Sequence, residues 1–160
     1  MPNQNRIAIF VDVQNVYYTA RQAYGRQFNY REFWRLIAGQ GDIVKANAYA
    51  THRGDAGQLK FQSALKYIGF SVKLKPFIQR KDGSAKGDWD VGITIDVLDA
   101  AANVDTIVLL SGDGDFDQLL EKVRCAYGVT VEVYGVRELT AQSLIDAADA
   151  YYPIDDRLLL

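Results

Sequence analysis

Five short apolar runs along the chain have the pattern of strands in a sheet. The first, Arg6–Val11 (RIAIFV), is almost continuously apolar, as expected of a strand buried on both faces. Similar runs predict four more strands, at Val44–Tyr49, Ser71–Phe77, Thr106–Leu110 and Thr130–Tyr134.

Apolar side chains at spacings of three and four predict helices between and after these strands. The predicted helices are Val16–Tyr24, Tyr30–Ile37, Gln58–Tyr67, Trp89–Ala102, Phe116–Tyr127 and Thr140–Ala148. On the fourth helix we expect Val91, Ile95 and Leu98 to face the core, which would leave Asp96 and Asp99 in solvent. We expect the C-terminal segment, Tyr151–Leu160, to be a docked tail.

Strands that alternate with helices predict an α/β fold of three layers, with a mostly parallel five-stranded sheet and helices on both faces. We expect the strand order 3-2-1-4-5, within one domain that spans residues 1–160. In this order the first and fourth strands are neighbours, and the chain leaves their carboxyl ends in opposite directions. A crevice opens at such a switch point, so a functional site is expected there.

Composition supports one compact domain, because 160 residues with 49% hydrophobic and 24% charged content can bury a sizeable core. The only cysteine, Cys125, cannot form an internal disulfide. No apolar run has the length of a membrane span or of a secretory signal, so we expect a cytoplasmic protein without a membrane partner.

Charge is close to balanced overall but segregated along the chain. Eighteen Lys and Arg against twenty Asp and Glu give a formal charge of −2, which argues against binding nucleic acid through bulk charge alone. Residues 52–81 contain seven basic side chains and one acid, whereas residues 88–121 contain nine acids and no base. An acidic centre beside a basic track would suit a polyanion bound with the help of cations.

Two aspartates follow the strands that flank the predicted crevice. The first strand runs into Asp12 in Asp12-Val13-Gln14-Asn15, where a dinucleotide-binding unit would have Gly-x-Gly-x-x-Gly, so we expect no dinucleotide cofactor. The fourth strand ends in Ser111-Gly112-Asp113-Gly114-Asp115-Phe116. Asp115 could cap the fifth helix or turn back into the crevice, and Asp117 could join it there.

A further carboxylate is expected from Lys86-Gly87-Asp88-Trp89-Asp90, at the start of the helix that leads to the fourth strand. We place Asp90 within reach of Asp12 and Asp113, although Asp88 could take its place or cap the helix. Carboxylates this close repel one another unless cations compensate their charge. Oxygen ligands favour Mg²⁺ or Mn²⁺, whereas zinc would prefer His and Cys, of which the chain has only His52 and Cys125.

Several residues near this edge are candidates for holding a substrate. Asn15 and Ser111 could each anchor a carboxylate, bind a phosphate oxygen or cap a helix. Phosphate contacts are also expected from four basic side chains, Arg53, Arg80, Lys81 and Lys86. Tyr17 and Tyr18 could stack on bases, with core packing favoured for at least one of them. His52 could touch the substrate, although single histidines are more often structural.

The motifs Phe10–Asn15, Lys86–Val91 and Ser111–Phe116 together resemble the NYN domain, specifically its bacterial LabA-like branch within the PIN-like nuclease superfamily. The resemblance extends over nearly the whole chain. It implies a PIN-like fold, a metal-dependent ribonuclease activity known for several members, and RNA as the partner. Matched by motif, it implies an acidic quartet of catalytic and metal-binding residues, Asp12, Asp90, Asp113 and Asp115, with Asn15 as the companion of the first.

Three hypotheses about function follow. The first is hydrolysis of RNA phosphodiester bonds with one or two metal ions. The second is a regulator without catalytic activity that binds RNA or a protein through the same crevice. The third, a haloacid-dehalogenase-like phosphatase, is suggested by Gly112–Asp117, but Gln14 stands where that chemistry needs a second aspartate. The terminal Leu158-Leu159-Leu160 would allow a homodimer without requiring one.

Overall fold

A computed structural model of the chain describes residues 5–52, 56–76, 78–79, 85–86 and 88–160. Its main sheet contains six parallel strands: β1 (Arg6–Asp12), β2 (Asp42–His52), β3 (Ser71–Pro76), β6 (Thr106–Leu110), β7 (Thr130–Gly135) and β8 (Ala150–Pro153). The strand order is β3-β2-β1-β6-β7-β8, and every neighbouring pair is parallel. A short antiparallel pair, β4 (Ile78–Gln79) and β5 (Ala85–Lys86), lies apart from this sheet.

The predicted fold class and strand order are confirmed, with one addition. The predicted strands correspond to β1, β2, β3, β6 and β7, in the expected order. The sheet has six strands rather than five, because part of the segment expected to be a docked tail forms β8 beside β7. This edge strand is short and half-exposed, so its residues lack the apolar run by which the buried strands were recognised.

In the described part of the chain, six α-helices cover the two faces of the sheet: α1 (Val13–Tyr24), α2 (Tyr30–Ala38), α3 (Ala56–Ile68), α4 (Asp90–Ala101), α5 (Asp117–Tyr127) and α6 (Gln142–Ala147). Ile7, Ile9 and Val11 of β1 pack into a core with α1, α2 and α3. Ala8 and Phe10 point the other way, into a core with α4, α5 and α6. The alternating side chains of one fully buried strand thus hold both outer layers to the sheet. No helix among the described residues is long and apolar enough to cross a bilayer.

The register of α4 differs from the prediction. Its buried positions are Ile93, Val97, Ala100 and Ala101, whereas Val91 is 72% exposed and Ile95 is 53% exposed. The helix is apolar around much of its circumference, so the apolar positions alone did not identify the buried face. Asp99 is exposed as expected, but the expectation of solvent for Asp96 is wrong.

Asp96 instead joins a polar network between α4 and the sheet. The hydroxyl of Tyr49, a fully buried side chain on β2, donates a hydrogen bond of 2.7 Å to Asp96 Oδ2 and accepts one of 3.0 Å from Asn47 Nδ2. Lys73 Nζ on β3 lies 3.8 Å from the same carboxylate oxygen. These contacts fix α4 against β2 and β3, and therefore fix the place where α4 begins.

Candidate metal centre

Three aspartates meet where β1, β6 and α4 come together at the carboxyl edge of the sheet. Asp12 is the last residue of β1, Asp113 follows β6, and Asp90 is the first residue of α4. Each contributes one carboxylate oxygen to a group in which all three atoms lie within 4.8 Å of one another. We call these three residues the aspartate cluster. Because β1 and β6 are parallel neighbours, their carboxyl ends necessarily lie side by side.

Each member of the cluster is held by the local turn of the chain. Asp12 caps α1, since its Oδ1 accepts a hydrogen bond of 3.4 Å from the N–H of Asn15. Asp113 caps a short 3-10 helix (Gly114–Phe116) by accepting a hydrogen bond of 2.9 Å from the N–H of Asp115. Capping does not exclude metal binding, because a carboxylate has two oxygens and several lone pairs. One oxygen can cap a helix while the other faces a cation.

Ser111 and Asn15 connect the β1 and β6 sides of the site. The Ser111 hydroxyl donates a 3.2 Å hydrogen bond to Asp12 Oδ2 and accepts one of 3.2 Å from the N–H of Asp113. The N–H of Gly112 donates a 2.9 Å hydrogen bond to Asn15 Oδ1. Ser111 is fully buried, which favours the anchoring role over the phosphate contact that we had also considered. Asn15 is half-buried and likewise ties α1 to the segment after β6.

Trp89 positions Asp90. Its indole Nε1 donates a hydrogen bond of 2.9 Å to the carbonyl of Ala50 on β2, and its ring lies 5.3 Å from that of Tyr49. A Cβ at Gly92 would stand 2.6 Å from Trp89 Cε3, so only glycine leaves room for the indole at that position. We did not identify Trp89 as a positioning residue from the sequence, although it lies inside one of the three motifs. Only its placement against β2 reveals the role.

Burial and crowding make the ionised forms of Asp12 and Asp90 unfavourable. Burial raises the pKa of Asp12 to about 6, against the opposing effect of its hydrogen bonds with Asn15 and Ser111, and the charges of Asp113 and Asp88 add to the rise. The pKa of Asp90 rises to about 7, first through burial and then through the charges of Asp113, Asp88 and Asp12. A divalent cation would remove this penalty, because it supplies the opposite charge to all the carboxylates at once.

The remaining acidic candidates lie outside the cluster. Asp115, the fourth member of the implied quartet, is exposed and does not join the three oxygens that converge. Asp117 accepts a hydrogen bond of 2.6 Å from the N–H of Gln118 at the start of α5. Asp88 is exposed and accepts a hydrogen bond of 3.1 Å from the N–H of Asp90, yet it is close enough for its charge to act on both Asp12 and Asp90.

The basic candidates are less well defined by the structure. Arg53, Arg80 and Lys81 lie outside the described residues, and of Lys86 and His52 only the backbone is described. Two lysines of the basic stretch, residues 52–81, do contact residues of the acidic stretch, residues 88–121. Lys73 approaches Asp96, and Lys75 donates a hydrogen bond of 2.9 Å to the carbonyl of Asp88 while its ammonium lies 4.5 Å from the centre of the Trp89 ring. They support the start of α4.

The structure thus defines a parallel α/β protein with three carboxylates at its topological switch point. Residues 6–155 match the model of the NYN domain, and the chain belongs to that family, within the PIN-like nuclease superfamily. It is 32% identical, over 95% of its length and 85% of the relative's, to the low amplitude and bright protein LabA of Synechococcus elongatus. The predicted membership of the LabA-like branch is confirmed.

Two solved structures resemble the fold. A crystal structure of a protein of unknown function from Vibrio parahaemolyticus is 51% identical and superposes with a TM-score of 0.95, over 100% of this chain and 99% of that one. A ribokinase from Giardia lamblia gives a TM-score of 0.52 at 10% identity, over 93% of this chain and 57% of the other. At that identity the second similarity concerns the layered fold alone.

Proposed function

We propose that this NYN-domain protein is a metal-dependent ribonuclease that hydrolyses RNA phosphodiester bonds at the aspartate cluster. The observation that carries the proposal is the convergence of Asp12, Asp90 and Asp113, with one oxygen of each within 4.8 Å of the others. The preference for RNA over DNA rests on the family to which the chain belongs.

The residues present fit Mg²⁺ or Mn²⁺. Every donor in the cluster is a carboxylate oxygen, the ligand type that these hard cations prefer, and Cys125 is an exposed residue of α5 outside it. Asp12, Asp90 and Asp113 would hold the cation, which when bound activates water and stabilises charge on the phosphate oxygens. Asp115 and Asp88 remain candidates for holding a second cation or orienting water from the exposed rim.

The protein's own groups orient this site. The Ser111 hydroxyl holds one oxygen of Asp12, and the Asn15 N–H holds the other, which limits rotation of that carboxylate. The Trp89 indole fixes the first turn of α4 and with it Asp90. Ligands positioned before substrate arrives need little reorganisation during the reaction, which is where such a site gains its catalytic effect.

The test is cleavage of a 5′-labelled single-stranded RNA in 5 mM Mg²⁺ or Mn²⁺, with wild type compared with Asp12→Asn. We expect a loss of at least about a hundredfold in rate, because removing a principal ligand weakens both metal binding and charge stabilisation. Asp99→Asn, which removes an exposed acid elsewhere on α4, is the matched control and should cleave as the wild type does.

Equal cleavage by wild type and Asp12→Asn would show that the cluster is not the active site. Metal-independent binding of RNA without cleavage would instead support a regulator with the same fold. The variant Asp115→Asn separates the two versions of the site: a large loss supports the quartet implied by the family, and a loss below about threefold supports the three-residue cluster.

A further inference from the structure

A large cavity opens beside the aspartate cluster, between α1 and α3. Its volume is about 1060 Å³, and its floor is formed by the carboxyl end of β2 at Ala50 and Thr51. Pockets for small ligands commonly have volumes of about 300 to 1,000 Å³, so this cavity has room for more than one nucleotide.

The lining of the cavity includes neighbours of the aspartate cluster. Its wall includes Val13 and Gln14, the two residues directly after Asp12. Its floor includes Ala50, whose carbonyl accepts the hydrogen bond from Trp89, the residue before Asp90. A chain lying in the cavity would therefore pass residues that are bonded directly, or through one hydrogen bond, to the segments that carry Asp12 and Asp90.

Aromatic rings line the cavity, and two of them are available at its surface. Tyr17 is 44% exposed and Tyr18 is 52% exposed, so the expectation that at least one of them packs in the core is wrong. Their rings stand edge to face at 5.3 Å on α1. Across the cavity Phe61 of α3 is 37% exposed and meets the buried Tyr30 ring at 5.6 Å. Exposed aromatic faces of this kind bind unpaired bases by stacking.

An amide side chain also faces the cavity. Gln62 of α3 is 5% exposed and lines the wall, and its amide is not among the buried polar atoms that lack a hydrogen-bond partner in the described part of the chain. The amide is therefore in contact with the space of the cavity. An amide offers both a donor and an acceptor, the combination displayed by the edge of a nucleobase.

The charge of the lining suits a polyanion. Among the described residues, the lining includes Arg21 and Arg26 and no Asp or Glu. Arg26 is paired with Asp156 at 2.8 Å, but Arg21 makes no salt bridge within the described part of the chain, and its guanidinium bonds only to the Tyr17 hydroxyl. A cation held over an aromatic side chain can meet a phosphate next to a stacked base.

We propose that this cavity binds the single-stranded RNA next to the scissile phosphate, with a base stacked on Tyr18 or Tyr17 and a base edge bonded to Gln62. The inference rests on the proposed ribonuclease function, since it assigns a substrate-binding site to the same edge of the sheet. Stacking needs an unpaired base, so the cavity selects single strands over duplex. Tyr17, Tyr18, Arg21 and Gln62 are binding residues in this assignment, and hydrolysis remains with the aspartates.

The test measures binding apart from cleavage. In the Asp12→Asn background, a 5′-fluorescein-labelled single-stranded RNA of ten nucleotides and mixed sequence is titrated by fluorescence anisotropy, beside its duplex form. Tyr18→Ala should raise the Kd about tenfold, the usual effect of losing one stacked base. Gln62→Leu should raise it about fivefold, because the base edge loses a donor and an acceptor. Tyr127→Ala, an exposed tyrosine at the end of α5, should change the Kd less than twofold.

Crosslinking locates the bound strand directly. The same RNA carrying 4-thiouridine should, on irradiation, become attached to peptides from α1 or α3. Unchanged Kd values for both Tyr18→Ala and Gln62→Leu, equal affinity for duplex, no detectable RNA binding, or crosslinks confined to other elements would each overturn the proposal. If the cavity variants weaken binding but the wild type never cleaves RNA, the binding site stands and the ribonuclease proposal fails. If cleavage occurs with the same KM in wild type and cavity variants, the ribonuclease proposal stands and the proposed binding site fails.

Discussion

Asp12→Asn should make the metal-free protein more stable at neutral pH, even though it removes a proposed metal ligand. Asparagine has nearly the same shape as aspartate, caps helices equally well, and keeps Oδ1 to accept the hydrogen bond from the N–H of Asn15. Its Nδ2 cannot accept the hydrogen bond that Ser111 donates to Asp12 Oδ2, and the loss of that bond offsets about 1 kcal/mol of the gain. What it removes is a largely buried negative charge beside Asp90 and Asp113.

The magnitude follows from the raised pKa of Asp12. Its value is about 6 in the folded protein against 3.8 for an unperturbed group, a rise of roughly 2 pH units. Each pH unit corresponds to about 1.4 kcal/mol, so the ionised carboxylate should destabilise the folded state by about 3 kcal/mol at pH 8. The folded state binds this proton more tightly than the unfolded state does. The stability contributed by protonated Asp12 is therefore present below about pH 4 and lost as pH rises through about 6.

The assay is urea denaturation of both proteins in EDTA at pH 5, 6, 7 and 8. The difference in free energy of unfolding between Asp12→Asn and wild type should grow with pH and level off above about pH 7, at no more than about 3 kcal/mol. For a domain of this size that corresponds to a rise in Tm of roughly 6 to 12 °C. Titrating groups outside the cluster cancel because the two proteins are compared at each pH. Asp90 does not cancel, because the charge of Asp12 contributes to its raised pKa and the variant removes that charge.

Adding Mn²⁺ should reverse the order of stability. The wild type should gain about 4.1 kcal/mol when free Mn²⁺ is about 1,000 times the Kd, which exceeds the variant's advantage of at most about 3 kcal/mol, and the variant should gain much less. A variant that is less stable than wild type in EDTA at pH 8, or a difference that does not change with pH, would refute the electrostatic account of the cluster.

Three further predictions concern the supports of the site. Mn²⁺ binding near pH 6 should release protons from Asp12 and Asp90, whose pKa values are about 6 and 7, and this release should largely disappear at pH 8.5. Calorimetry in buffers of different ionisation enthalpy measures the number of protons released. Equal proton release at pH 6 and pH 8.5 would contradict the prediction. Tyr49→Phe should lower the free energy of unfolding by about 1 to 2 kcal/mol in urea titrations, because Asp96 loses its 2.7 Å hydrogen bond; an unchanged value would show that the bond contributes nothing. Gly92→Ala should weaken Mn²⁺ affinity about tenfold, because the new Cβ displaces the Trp89 indole that positions Asp90. An unaltered Mn²⁺ affinity in calorimetry would show that Trp89 does not position Asp90.

The sequence predicted the sheet well because a fully buried parallel strand has a distinctive composition. Arg6–Val11 and Thr106–Leu110 are apolar at almost every position, and both became central strands with Asp12 and Asp113 at their ends. The half-exposed β8 has no such run. The face of α4 was misassigned for a related reason: Val91 and Ile95 are as apolar as the buried Ile93 and Val97.

The aspartate cluster could be anticipated from the chain alone because strand order places the ends of neighbouring parallel strands together, whatever the side chains do. The side chains that hold those carboxylates in place could not be predicted from the sequence. The hydrogen bond from Ser111 to Asp12, the one from Trp89 to Ala50 and the place of Gln62 in the cavity wall depend on how α1, α3 and α4 pack on the sheet. Local pattern determines which segments form strands and helices and where each chain reversal falls. Only packing, a sum of contacts between residues distant in sequence, decides which polar groups are buried together.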